Sequence, residues 1–250
     1  MFVPLILFAH PMRVPAALTI PSVNRIIEKK RRFCMKRALL FDFDGTLFDT
    51  GPGVMNCVVY ALEQLGIHES DTKKLRKFMG PPLYDMFREL YGLNDAQGHE
   101  AVRLYRERYQ PTGIWECKPY PGMPELLKKL REAGFLLAVA TSKPTPSAMK
   151  ILERYQMESL FDYVCGSEFD GTRSKKSEVV AAVLDHFGMT SQPELVLMIG
   201  DRKYDVLGAK EVGVDCLGVR YGYSEPDELE SAGAIAVVES IQDLENYLIH

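Results

Sequence analysis

From Arg37 onward, short apolar runs alternate with stretches of helical periodicity, the pattern of a parallel α/β sheet. The runs predict strands over residues 38–43, 135–141, 163–166, 195–200, 216–219 and 235–238. They are continuously apolar, as strands covered on both faces are. Helices are predicted over 123–133, 147–155, 177–187 and 204–212, with a closing amphipathic helix over 241–248. Gly134, Gly188 and Gly213 stand where such helices stop.

One interval breaks the alternation. Between Phe48 and Trp115 there is no strand pattern, only helix periodicity. Val54, Val58, Ala61, Leu62 and Leu65 recur at helical spacing up to Gly66, and 72–79, 83–91 and 96–109 supply three more helical segments. Gly51-Pro52-Gly53 and Lys118-Pro119-Tyr120-Pro121-Gly122 read as hinges around this insertion. Open parallel sheets bind ligands at the carboxyl ends of their strands. An insertion leaving from that edge is placed to act as a lid. The expected division is an N-terminal extension over 1–35, an α/β core over 36–50 and 116–250, and a helical cap over 51–115.

Composition narrows the function classes. The chain is 46% apolar and 26% charged with net charge −4, which gives no general reason to expect nucleic acid or an anionic membrane as partner. Five cysteines form no CxxC pair and read as free thiols of a reducing cytoplasm; the five histidines show no metal spacing. The apolar start, Met1 to Ala9, is too short to span a bilayer, and Lys29-Lys30-Arg31-Arg32 reads as a solvated charge run. Residues 1–34 are expected to be a poorly ordered extension, or the result of an upstream start codon ahead of Met35, that activity and folding do not need.

Chemistry collects at the carboxyl ends of the predicted strands. Asp42 and Asp44 sit two positions apart at the end of an apolar run, a spacing that puts both side chains on one side of a strand. Two like charges there require a cation or a titration role. Gly45 lets the chain turn away, and Thr46 offers a hydroxyl. Thr141-Ser142-Lys143 ends the second predicted strand, and Gly200-Asp201-Arg202-Lys203-Tyr204-Asp205 the fourth. Arg173-Ser174-Lys175-Lys176 opens the helix between the third and fourth.

Taken together, Asp42 to Leu47, Thr141, the lysine at the later helix start and Gly200-Asp201 to Asp205 resemble the four motifs of the haloacid dehalogenase superfamily, from about Met35 to the C-terminus. The resemblance implies a Rossmann-like core with a type-one helical cap. It implies that Asp42 is a nucleophile forming an aspartyl-phosphate, and that Asp44 is the acid and then the base. For that second role Asp44 must be able to carry a proton, with its pKa raised by neighbouring carboxylates. Thr141 and Ser142, with Thr46, would bind the phosphoryl group. Lys176 would neutralise phosphate and nucleophile, since Ser177-Glu178-Val179-Val180 reads as a helix start; Lys175 is its competitor. Mg²⁺ would be held by Asp42, the Asp44 carbonyl, Asp201 and Asp205, the last also a candidate to orient Lys176.

Asp44 argues against a true dehalogenase, which lacks the second aspartate. No one of Lys73, Lys74 and Lys77 is singled out as a phosphonate hydrolase's Schiff-base lysine. The pattern is most similar to the phosphoglycolate phosphatase-like branch. Residues 166–173 and the form of the last motif resemble its 5′-nucleotidase-like subgroup. The implied activity is Mg²⁺-dependent hydrolysis of a small phosphate ester, best a nucleoside 5′-monophosphate, by a monomer or homodimer. Phosphoglycolate hydrolysis, sugar phosphomutation and non-catalytic phosphometabolite binding are the alternatives. In the cap, Gly80-Pro81-Pro82 reads as a specificity loop, with Gly80 as a substrate contact. Arg76, Arg88 and Arg103 could meet a second anionic group but read rather as solvated, while Cys57 and Met55 read as packing. Arg202 and Lys203 read as solvated loop residues.

Overall fold

The computed structural model describes residues 36–168, 172, 173 and 175–249. The expected extension and its basic run lie outside them, as do Phe169, Asp170, Gly171 and Ser174 of the loop before Lys176. Six parallel strands form one sheet in the order β5-β4-β1-β6-β7-β8. These are β1 (Ala38–Phe41), β4 (Leu136–Pro144), β5 (Tyr163–Ser167), β6 (Val196–Gly200), β7 (Asp215–Val219) and β8 (Ala236–Val238). The central β1, Ala-Leu-Leu-Phe, pairs with β4 on one side and β6 on the other, and all four of its residues are buried. Ala38 and Leu40 project toward the Lys176–His186 and Lys203–Glu211 helices, where they pack with Val179, Val183, Val206 and Ala209. Burial on both faces explains the unbroken apolar runs.

The chain leaves β1 for β4 in one direction and reaches β6 in the other, so the carboxyl end of β1 is a switch point of the sheet. Two strand ends differ from expectation. β1 stops at Phe41, so Asp42 and Asp44 lie beyond the strand, although the Asp42 N–H still donates to Ile199 O at 2.9 Å. β4 runs three residues past Thr141, with a register shift between Ala140 and Pro144.

The helical insertion is rooted in a two-residue antiparallel ribbon, β2 (Phe48–Asp49) with β3 (Lys118–Pro119). Gly51-Pro52-Gly53, read as a hinge, is instead the first turn of the Gly51–Gln64 helix, with proline in the position where its missing N–H is no loss. The helices Thr72–Arg76, Leu83–Tyr91 and Asp95–Tyr109 complete the insertion. Asp71 caps the first of these, and a reciprocal Asn94–Gln97 capping box starts the last. Val58, Leu62, Phe78, Phe87 and Leu104 form its own apolar core, with Phe78 and Phe87 edge to face at 4.9 Å. Among the described residues no helix is long and apolar enough to cross a membrane. Cys57, Cys117, Cys165 and Cys216 are free and buried.

Candidate active site

β1, β4, β6 and the N-terminus of the Lys176–His186 helix converge on Asp42. Lys176 begins that helix, and its side chain, 5% exposed, reaches across the sheet edge. Its ammonium meets Asp42 Oδ1 at 2.7 Å, Asp205 Oδ1 at 2.7 Å and donates to Ala140 O at 3.1 Å. The Asp42 and Ala140 contacts are hydrogen bonds, while the Asp205 contact is an ion pair whose buried Oδ1 accepts no hydrogen bond. Burial works against the Lys176 charge, but Asp205 and Asp42 outweigh it and hold the pKa above the ordinary lysine value. Lys175 is exposed.

Asp42, Asp201 and Asp205 are all buried and each offers an oxygen within 4.8 Å of the others. Asp201 follows β6 with no exposed surface; its Oδ1 accepts from Thr46 Oγ1 at 3.2 Å and its Oδ2 from the Tyr223 N–H at 2.7 Å. Asp205 Oδ2 accepts from the Arg202 N–H at 3.0 Å, which ties it to the start of the Lys203–Glu211 helix. Two glycines make room for this packing. A Cβ on Gly45, at φ +84°, would stand 2.1 Å from Asp201 Oδ2, and one on Gly200 would stand 2.3 Å from Asp205 Cγ.

Three carboxylates against one ammonium leave two negative charges in excess. Burial first, and then Asp205, push the Asp42 carboxyl up to about 6 against the opposing pull of Lys176. Burial, Asp205 and Asp42 likewise hold Asp201 well above the usual carboxylate range. Buried like charges raised in this way can accept a further positive charge. The donor set, all hard oxygen, fits a divalent metal ion of that preference.

Asp44 faces a different cation. Lys143 Nζ lies 2.8 and 3.1 Å from its two carboxylate oxygens. Asp42 is a charge neighbour of Asp44, as expected, but the group in direct contact with the Asp44 carboxyl is an ammonium. The chain turns after Phe41, so the alternation of a strand no longer governs residues 42 and 44.

Above Asp42 lies a cavity of about 520 Å³, walled by Asp44, Thr141, Ser142 and Lys143 from the core and by Gly80, Tyr84, Tyr105 and Tyr109 from the insertion, among others. Thr141 is buried, and its Oγ1 accepts from the Lys143 N–H at 3.1 Å; Ser142 is exposed at the wall. Gly80 contributes to the wall with φ +104°. Thr46 does not reach the cavity: it is fully buried with its hydroxyl turned to Asp201.

None of the three arginines offered for a second anionic group lines the cavity above Asp42. Arg103 pairs with Glu100 and Glu107, Arg88 donates to Tyr84 Oη, and Arg76 donates to Gly222 O. Arg106 lines the cavity instead. Arg202 is no solvated loop residue: its side chain, 12% exposed, pairs with Glu228 at 3.0 Å and donates to the Met79 carbonyl of the insertion. Two further residues carry the site without having stood out in the sequence. Lys143 was visible at a strand end but had no assigned partner. Tyr223, after β7, holds Asp201 by its N–H, donates its hydroxyl to Asp49 at 2.6 Å and accepts from the Gly51 N–H at 2.6 Å. No local motif signals that role.

Residues 39–219 match the family model described as haloacid dehalogenase-like hydrolase. The chain is 45% identical over 193 residues to a 5′-nucleotidase of Pseudomonas aeruginosa, covering 77% of this chain and 86% of that one. It is 34% identical over 202 residues to tyrosine-protein kinase PtkA of Mycobacterium tuberculosis, covering 81% and 68%. A solved haloacid dehalogenase-like family hydrolase of Streptococcus pneumoniae superposes with a TM-score of 0.79 at 31% identity, covering 86% of this chain and 99% of that one. With the sheet order, the buried carboxylates and a match spanning both, the chain belongs to the haloacid dehalogenase-like hydrolases and is a phosphatase.

Proposed function

We propose that the protein is a Mg²⁺-dependent phosphomonoesterase that works through an aspartyl-phosphate on Asp42 and acts on a nucleoside 5′-monophosphate. The observation that carries this reading is the buried Asp42 carboxylate, held by Lys176 at 2.7 Å beside Asp201 and Asp205, beneath a chamber of about 520 Å³. Such a volume suits a small ligand. The tyrosines of its wall suit a flat, partly apolar leaving group. The Pseudomonas relative named 5′-nucleotidase supports the choice of ester.

In this reading an Asp42 oxygen attacks phosphorus while the bond to the ester oxygen breaks. The Asp44 carboxyl gives its proton to the departing oxygen. A water then attacks the phosphoryl group, its proton passes to the Asp44 carboxylate, and phosphate leaves with Asp42 restored. Lys176 stays cationic throughout and balances charge on the phosphoryl oxygens, which Thr141 and Ser142 help to hold. Mg²⁺ would be held by Asp42, Asp201 and Asp205, with the Asp44 carbonyl, and would supply charge stabilisation to the transferring phosphoryl group. The 51–115 insertion acts as the cap that excludes water during the first step.

The test is phosphate release from a panel of nucleoside 5′-monophosphates, phosphoglycolate and sugar phosphates, with and without Mg²⁺. Nucleotides should be hydrolysed fastest, and Asp42→Asn should abolish turnover without loss of fold. Hydrolysis that survives Asp42→Asn refutes the nucleophile. Phosphate migration within a sugar, or transfer to a tyrosine side chain in place of water, refutes the hydrolytic outcome.

A further inference from the structure

Lys143 combines features that a surface lysine does not share. It sits in the extra residues of β4 beyond Thr141, its side chain is 6% exposed, and it forms part of the cavity wall. Its ammonium spans both Asp44 oxygens, at 2.8 and 3.1 Å. Two aromatic rings enclose it. The Phe43 centroid, from the core, is 5.6 Å away, and the Tyr109 centroid, from the insertion, is 5.4 Å away. Tyr109 ends the Asp95–Tyr109 helix and stacks on Tyr105, with ring centroids 5.4 Å apart and planes 15° from parallel. The cation thus touches Asp44 on one side and the insertion on the other.

A long, buried, charged side chain is costly to keep unless its geometry serves something. Asp44, by contrast, is 32% exposed on its side chain and could be hydrated without a partner. The pair is therefore not needed to solvate Asp44; what it does is hold the carboxyl in one place, at the wall where a leaving group must stand. A bond to both oxygens restricts rotation of the carboxyl as well as its position. The second contact makes that restriction depend on the insertion, because Tyr109 reaches Lys143 only when its helix lies over β4.

We propose that Lys143 is the positioning residue for proton transfer in this enzyme: it holds the Asp44 carboxyl on the leaving-group side and, through Tyr109, couples that placement to closure of the helical insertion. This rests on the reading of Asp44 as the group that carries the proton. In the step it serves, Asp44 enters protonated, with its carbonyl oxygen kept on Lys143 and its hydroxyl aimed at the ester oxygen; the proton passes to that oxygen as the Asp42 oxygen–phosphorus bond forms and the ester oxygen–phosphorus bond breaks, and the second Lys143 contact returns with the carboxylate.

Leaving groups of different basicity distinguish this role from a structural one. p-Nitrophenolate departs without a proton, whereas the alkoxide of a nucleoside 5′-monophosphate requires one. Single-turnover release of each leaving group is measured in the wild type, Lys143→Met, Lys143→Arg, Tyr109→Leu and Asp44→Asn, with melting followed by circular dichroism. Lys143→Met should slow nucleoside release by about 100-fold, the low end of a general-acid contribution, and p-nitrophenolate release by less than about 10-fold. Lys143→Arg, which returns a cation, should recover part of the loss. Tyr109→Leu, which leaves the ion pair in place, should show the same selectivity at a few-fold level, and it keeps the test open should Lys143→Met not fold. If Asp44→Asn slows both esters alike, the reading of Asp44 itself fails. If Asp44→Asn is selective and Lys143→Met slows both esters alike, or neither, the role of Lys143 is overturned. Tyr109→Leu indistinguishable from wild type on both esters overturns the link to the insertion.

Discussion

Replacing Asp201 by asparagine should stabilise the metal-free protein while removing a ligand from the proposed Mg²⁺ site. Asp201 lies within 4.8 Å of both Asp42 and Asp205 and has no exposed surface. At an effective dielectric constant of about 20, two like charges at that distance repel by about 3 kcal/mol. Burial is the first cost of its charge, and Asp201 also feels two such repulsions, partly offset by the Tyr223 N–H and by Arg202. Asparagine keeps the shape and both hydrogen bonds, since its oxygen can accept from the Tyr223 N–H and its amide can donate to the Thr46 hydroxyl. The net gain should be about 2–3 kcal/mol, or roughly 5–10 °C in Tm for a chain of this size.

The effect has a definite pH dependence. Asp201 and Asp42 are both raised above the unfolded value of about 4, Asp42 to about 6. A raised carboxyl contributes its full stability below the unfolded value and loses it as pH rises through the folded one. In chelator, the wild type should therefore lose stability relative to Asp201→Asn between about pH 4 and neutrality, and the two should converge in acid. Thermal melts in chelator and in excess Mg²⁺, at pH 4.5 and pH 7.5, test this. Mg²⁺ should raise the wild-type Tm at pH 7.5 and leave the variant unmoved. An Asp201→Asn protein less stable than wild type in chelator at pH 7.5 would refute the argument that unbalanced charge is stored here.

Two further substitutions probe the scaffold around the carboxylates. Gly45→Ala places a methyl 2.1 Å from Asp201 Oδ2 at a left-handed φ, so Mg²⁺ affinity measured by calorimetry should fall about 10–100-fold; unchanged affinity would show that the loop relaxes freely. Tyr223→Phe removes a hydroxyl bonded to Asp49 and Gly51 but keeps the N–H on Asp201. It should cost about 1 kcal/mol, lowering Tm by about 2–4 °C with the Mg²⁺-induced shift intact, and an unchanged Tm would contradict the role given to that hydroxyl.

The sheet was legible because its strands are short, buried on both faces and separated by helices with glycine stops. Their ends were less so: β4 continues through Thr141-Ser142-Lys143, where polarity argues for a loop, because β5 pairs with its end at Pro144. The carboxylates could be read from their motifs, and the structure brings Asp42, Asp201, Asp205 and Lys176 to one point. What pairs with Asp44 could not be read, since Lys143 is 99 residues away and its contact depends on the sheet order. Thr46 illustrates the opposite error: a hydroxyl near two aspartates suggests a ligand contact, yet the turn at Gly45 sends it to the buried side of Asp201. The β2–β3 ribbon, two residues to a strand, is too short for any periodicity to show.

The charges around the cavity fall into two sets of unequal balance. Asp44 and Lys143 sum to zero between themselves, while Asp42, Asp201 and Asp205 with Lys176 retain a deficit that a divalent ion can fill. The two sets adjoin, since the Asp44 charge adds to the pressure on Asp42, but only the second is left in want of a cation. Substitution at Lys143, which stands outside the carboxylate trio, would then shift the preference between leaving groups while the trio that would hold the ion stays intact.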